Sequence, residues 1–125
     1  MNANPVVWFE VYVADMARAR RFYETVLGVT LSKLDDPSGE SEMWAFPSMP
    51  EQGGAGGALV RMGGIAPGGG GTLVYFGCAD CAVEASRVEA AGGSIARPKF
   101  SIGPYGHIAL VVDTEGNMIG LHSMA

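Results

Sequence analysis

The sequence predicts an α+β protein built from two tandem βαβββ modules. Three observations carry that reading. A shift of 65 residues lays Ala14-Asp15 on Ala79-Asp80, Ala17 on Ala82, Glu24 on Glu89 and Gly28 on Gly93. Each half opens with an alternating apolar segment, Val6 to Val13 and Thr72 to Cys78, followed by an Asp, a helical pattern and a glycine. A glycine-rich stretch, Gly63 to Gly71, separates the halves and reads as a flexible linker. Module 1 is therefore expected at about 5–62, the linker at 63–71 and module 2 at about 72–125, within a single domain.

The elements follow in order. Asp15 and Asp80 are suited to cap helices, because a short carboxylate accepts the free amide hydrogens of a first turn. In the first helix Met16, Ala19, Phe22, Tyr23, Val26 and Leu27 recur at three-to-four spacing and predict one buried stripe, with Arg18, Arg20 and Arg21 mostly on the other side. Gly28 ends that helix in the left-handed conformation. The second helix, near 81–91, is alanine-rich, less amphipathic and closed by Gly92-Gly93. Three extended segments follow each helix: Val29 to Leu34, Glu42 to Pro47 and Gly57 to Met62, then Ser94 to Arg97, Gly106 to Val112 and Asn117 to Ser123. Turn signals separate them at Asp36-Pro37-Ser38-Gly39, Ile102-Gly103-Pro104 and Asp113 to Asn117.

Composition narrows the function classes. The chain has 125 residues, 48% of them apolar, 17% charged, with a net charge of −5. That excludes a disordered tail and offers no basic footprint for nucleic acid. No apolar run is long enough for a membrane span, and the first residues show no export signal. Two cysteines are too few for a disulfide scaffold, so a cytoplasmic location is expected.

Strand alternation separates two faces. Val7, Phe9, Val11 and Val13 should pack under the first helix, leaving Trp8, Glu10 and Tyr12 opposite. In the second module Val74, Phe76 and Cys78 face the helix, with Leu73, Tyr75 and Gly77 opposite. The last strand puts Ile119 and Leu121 on one side and Met118, Gly120 and His122 on the other. Alternation does not orient Gly57 to Met62 or Gly106 to Val112. Aromatics with a few polar groups are what ligand pockets use, though Trp8, Tyr12 and Tyr75 could equally be core or a subunit interface. Glu10 between Phe9 and Val11 is costly unless paired, protonated or on a wet face.

Trp8-Phe9-Glu10-Val11-Tyr12-Val13-Ala14-Asp15, with Arg18-Ala19 and Phe22-Tyr23-Glu24-Thr25-Val26-Leu27-Gly28, resembles the opening module of the vicinal oxygen chelate superfamily. That superfamily includes glyoxalase I, bleomycin-resistance proteins and extradiol dioxygenases. Asp113 to Ser123 resembles its closing hairpin. The resemblance spans essentially the whole chain. It implies an eight-stranded, cleft-shaped mixed sheet with helices on the outer face, in a homodimer. Metal-dependent members place a His or Gln where this chain has Trp8 and Leu73, and a Glu where it has Gly120. Indole, isobutyl and hydrogen cannot bind a divalent cation. No metal and no other cofactor is therefore expected. The Trp-Phe-Glu opening and Gly-Leu-His-Ser ending resemble a glyoxalase-like branch whose substrates are not generally established.

Other chemistry is weaker. Cys78-Ala79-Asp80-Cys81 at a strand-to-helix junction could be redox-active, but Cys78 on the helix-packing face reads as a small buried hydrophobe. His107 and His122 could act as acids or bases, or be structural. Arg61 reads as a surface residue. A phosphate loop in the glycine stretch is disfavoured, since no Lys-Ser or Lys-Thr follows.

The function expected is binding of a small organic molecule in the cleft. Glu10 and His122 are the candidate catalytic residues, and Trp8, Tyr12, Tyr75, His107 and Met118 the candidate ligand contacts. The rivals are a metal-dependent lyase or isomerase using ligands such as Glu10 and His122, and a non-catalytic interaction protein. Loops Asp36 to Glu42 and Met49 to Gly57 would shape the pocket.

Overall fold

A computed structural model describes residues 4–48, 54–68 and 70–125, without the side chain of Val26. Residues 49–53 of the Met49 to Gly57 loop, along with Gly69, thus lie outside the described residues. The expected class is present: eight strands of mixed sheet in two βαβββ repeats. The chain packs into two compact units, residues 8–72 and residues 1–7 with 73–125. Among the described residues no helix is long and apolar enough to cross a membrane.

In the first unit β1 (Val6–Tyr12), α1 (Met16–Leu27), β2 (Ser32–Leu34), β3 (Ser41–Ala45) and β4 (Gly56–Met62) follow in sequence. The strand order is β2-β3-β4-β1, with β1 and β4 parallel and the other pairs antiparallel. Asp15 caps α1 by accepting from the Arg18 amide at 3.0 Å, and Gly28 ends it at φ 66°. Val13, Met16, Leu31 and Leu59 form the core, with Val11, Ala19, Tyr23, Trp44 and Phe46 packed on it.

The buried stripe of α1 is narrower than the spacing predicts. Phe22 and Leu27 are 59% and 55% exposed. At about 100° per residue, Phe22 lies about a quarter-turn from the Met16-Ala19-Tyr23 line, and Leu27 belongs to the last turn, past the core. Arg20 instead turns inward, its guanidinium 3.5 Å from the centre of the Trp44 ring. The strand expected from Val29 begins only at Ser32. The Glu24 carboxylate captures the Leu31 amide at 2.9 Å, tying that stretch to the helix rather than to the sheet.

In the second unit β5 (Thr72–Gly77), α2 (Cys81–Ala85), β6 (Ser94–Ser101), β7 (His107–Val112) and β8 (Met118–Ser123) repeat the pattern, in the order β5-β8-β7-β6. Here β5 and β8 are parallel. Cys81, Ala109, Val111 and Leu121 form the core under α2, with Phe76 and Cys78 against it. Asp80 caps α2, accepting from the Ala82 amide at 3.0 Å. The helix expected near 81–91 is regular only to Ala85. The Ser86 amide still reaches back to Ala82, but Arg87 and Val88 reach back only three residues, to Glu84 and Ala85, and Gly93 closes the segment on the Val88 carbonyl. A stretch with no continuous apolar stripe gives the last turns little to pack with. Strand β6 runs past Arg97 to Ser101, carrying Pro98 and register shifts on either side of Arg97. Proline donates no hydrogen bond, so it is tolerated at such irregularities.

Candidate functional site

Alternation along β1 sends Trp8, Glu10 and Tyr12 to the face away from the α1 core. The pairing with β4 resolves what parity leaves open. Glu10 is opposite Ala58 and Tyr12 opposite Val60, so Ala58 and Val60 share the Glu10 face. Leu59 belongs to the helix side. Arg61 neighbours Glu42 in register and pairs with it at 3.4 Å, more than half exposed, as a surface residue.

Glu10 is buried at 9% exposure, and Tyr12 at 7%. The carboxylate is held at both oxygens from its own strand. The Tyr12 hydroxyl donates to Oε1 at 2.5 Å, and the Trp8 indole N–H donates to Oε2 at 3.2 Å. Residues two apart on a strand share a face, which puts both donors in reach. A phenol–carboxylate bond of this length is of the charge-assisted kind. Gly56, opposite Trp8, makes room for the indole: a Cβ there would sit 3.0 Å from the ring. Sequence reading found the three residues but not the two bonds. The i, i+2 aromatic–Glu–aromatic spacing was the signal available.

The second unit gathers Tyr75, Met118 and His122 on one face. Tyr75 is opposite Gly120 and Gly77 opposite His122, while Met118 pairs with Val112 and Ile108 with His122. Tyr75 is buried, and its ring fills the space where a Cβ on Gly120 would project. His122 Nε2 lies 2.6 Å from the Tyr105 carbonyl. A carbonyl only accepts, so Nε2 carries the hydrogen. Met118 is nearly half exposed at the strand end.

His107 lies on the other face. It is opposite Ser123, whose hydroxyl accepts from the Cys81 amide at 2.9 Å on the α2 side. The nearby Asp80 carboxyl is held below its ordinary range, chiefly by the Lys99 ammonium at 2.9 Å, then by the Ala82 amide, with a smaller contribution from His107. Cys81 is wholly buried, and burial pushes the Cys78 thiol up, assisted by Glu84. A raised thiol is a poor nucleophile at neutral pH.

Among the described residues no group of three or more His, Cys, Asp or Glu is placed to hold an ion. The Gly120 position has no room for a side chain beside the Tyr75 ring, and Leu73 is buried.

Comparison with known proteins agrees with this architecture. The family model described as Glyoxalase/Bleomycin resistance protein/Dioxygenase superfamily matches residues 6–121. No curated protein matches the sequence. Among solved structures, methylmalonyl-CoA epimerase from Mycobacterium tuberculosis is 18% identical at TM-score 0.68, over 100% of this chain and 93% of that one. A variant of the Streptomyces coelicolor methylmalonyl-CoA epimerase, in complex with 2-nitronate-propionyl-CoA, is 15% identical at TM-score 0.68, over 96% and 94%. A Methanosarcina mazei protein of unassigned function is 18% identical at TM-score 0.63, over 100% and 95%.

Proposed function

The chain belongs to the Glyoxalase/Bleomycin resistance protein/Dioxygenase superfamily, and from that premise we propose that it binds a small organic molecule at the Glu10 face without a divalent metal. The observation that carries the reading is the buried Glu10 carboxylate, fixed at both oxygens by Trp8 and Tyr12. A carboxylate removed from water and pre-oriented is suited to accept a hydrogen bond from a ligand O–H or N–H. Two aromatic rings beside it supply apolar contact area. Identities of 15% to 18% to the epimerases support a shared fold and leave the substrate to be found. With both oxygens already fixed by donors, hydrogen-bond acceptor is the role favoured for Glu10. His122, whose Nε2 is engaged by the Tyr105 carbonyl, is the second candidate for proton transfer. The same reading takes the protein to be a cytoplasmic homodimer.

The test is the structure of the protein with whatever molecule co-purifies, alongside Glu10→Gln. The variant should fold normally and bind that molecule about tenfold to over a hundredfold more weakly, the worth of one charge-assisted hydrogen bond. Unchanged affinity would remove Glu10 from the site. Stoichiometric metal surviving dialysis of tag-free protein would overturn the metal-free part.

A further inference from the structure

The glycine-rich stretch between the modules is more than a tether. Gly68 and Gly70 take φ of 96° and 80°, which only glycine adopts easily. Gly71 donates to the Gly68 carbonyl at 2.8 Å and accepts from the Tyr12 amide at 2.8 Å, pinning the loop to the end of β1. A Cβ on Gly71 would lie 2.9 Å from the Gly68 nitrogen, so the loop closes this tightly only as glycine. A hollow of about 330 Å³ lies between this loop, the end of β1 and α1.

Its lining is mixed. Val11, Val13, Ala19 and Pro67 give apolar wall, while Arg18, Asp15 and Tyr23 add polar groups. Among the described residues Arg18 makes no ion pair, and the Tyr23 hydroxyl makes no hydrogen bond. Asp15 uses Oδ1 on the Arg18 amide and leaves Oδ2 without a partner. The helix N-terminus is not itself the receptor, because Asp15 already caps it. The side-chain charges lining the hollow sum to zero, with one cation and one anion. A net anion would meet the Asp15 carboxylate, and a net cation the Arg18 guanidinium.

We infer that this hollow binds a small zwitterion with an apolar body, of the class of the aliphatic and aromatic α-amino acids. The carboxylate is taken by Arg18, whose planar guanidinium matches it in two-point fashion, and by the Tyr23 hydroxyl. The ammonium is taken by Asp15 Oδ2. The side chain lies on Val11, Val13, Ala19 and Pro67. Glu10 does not line the hollow, so the inference does not rest on the Glu10 reading, although Tyr12 lines the hollow and bonds Glu10.

Amide chemical shifts of the full chain, titrated with L-leucine and L-phenylalanine, test it. Shifts should saturate at Val13, Arg18, Gly71 and Thr72. The matching amine without the carboxylate, and the matching acid without the ammonium, should bind at least tenfold more weakly. Arg18→Gln and Tyr23→Phe should each weaken binding by about tenfold while the far-UV spectrum stays unchanged. Glu10→Gln should leave it unaffected. No saturable shift up to about 10 mM amino acid would overturn the inference, as would equal binding of the acid alone or loss of binding in Glu10→Gln.

Discussion

The ring of Tyr75 lies so close against Gly120 that no Cβ can be built on that glycine. The two residues are opposite one another on the parallel strands β5 and β8. The ring thus occupies the place from which the metal-dependent pattern would project a carboxylate. Gly120→Ala should destabilise the protein by about 1 to 3 kcal/mol through overpacking. Combining it with Tyr75→Ala should give a loss smaller than the sum of the two single losses, because Tyr75→Ala removes the clash that Gly120→Ala creates. Urea melts of the four proteins check this, and strict additivity would mean that the strands separate to relieve the clash.

The exposure pattern of α1 makes a second prediction. Met16→Ala should cost about 2 to 4 kcal/mol, since the side chain is buried in the first unit's core. Phe22→Ala should stay within about 0.5 kcal/mol, as a surface substitution does. A large loss for Phe22 would show that a partner surface covers it in solution.

That contrast also shows where sequence reasoning was strong and where it stopped. Repeat, caps and face assignment were legible because each rests on local spacing. Asp15, Asp80 and Gly28 hold the roles their chemistry predicts, and Val11, Val13, Phe76 and Cys78 face the helices as alternation requires. The depth of burial along α1 was not legible, because it depends on where the sheet ends beneath the helix. The facing of His107 was hidden for a related reason. Both sides of β7 are apolar, and only its register with Ser123 decides the matter. The shared face of Trp8, Glu10 and Tyr12 was readable, but bond lengths and the partners of Glu10 were not. The glycine stretch read as a linker because composition reports flexibility and cannot report closure on the Tyr12 amide.

Acid titration supplies a third prediction. Asp36 is held at about 2, below its ordinary 3.8, first by the Ser41 hydroxyl, against the opposing effect of burial, which ranks next, and then by the Ser38 hydroxyl and the Ser38 and Ser41 amides. A carboxyl lowered on folding contributes stability that is present above its unfolded value and is lost as pH falls through the folded one. The window is therefore pH 4 down to about 2. Asp36→Asn should lose about 1 kcal/mol at neutral pH, a modest figure because the turn is largely solvated. It should also show a shallower fall in stability across that window. Urea midpoints from pH 6 to 2 decide it, and parallel curves for the two proteins would show that the turn carries no linkage.

The hydroxyl of Tyr12 supplies the last prediction. It donates to Glu10 Oε1 at 2.5 Å, and both residues are more than nine-tenths buried. Removing one partner of such a bond leaves the other short of a partner in a dry place. Tyr12→Phe should therefore destabilise the fold by about 1.5 to 3 kcal/mol, more than a typical neutral hydrogen bond is worth. Glu10→Gln keeps the shape and keeps an acceptor, so it should cost less in stability than in ligand affinity. The double substitution, compared with the two singles, isolates the charge-assisted part of the bond. A coupling of about 1 kcal/mol or more is expected. Coupling near zero, with both singles harmless, would mean that the pair is open to water in solution. Tyr12→Phe that keeps full stability but loses ligand would instead move the binding role from Glu10 to the phenol. Thermal melts with and without the co-purified molecule distinguish these outcomes, because a ligand bound to the folded state raises the midpoint only in proteins that still hold it.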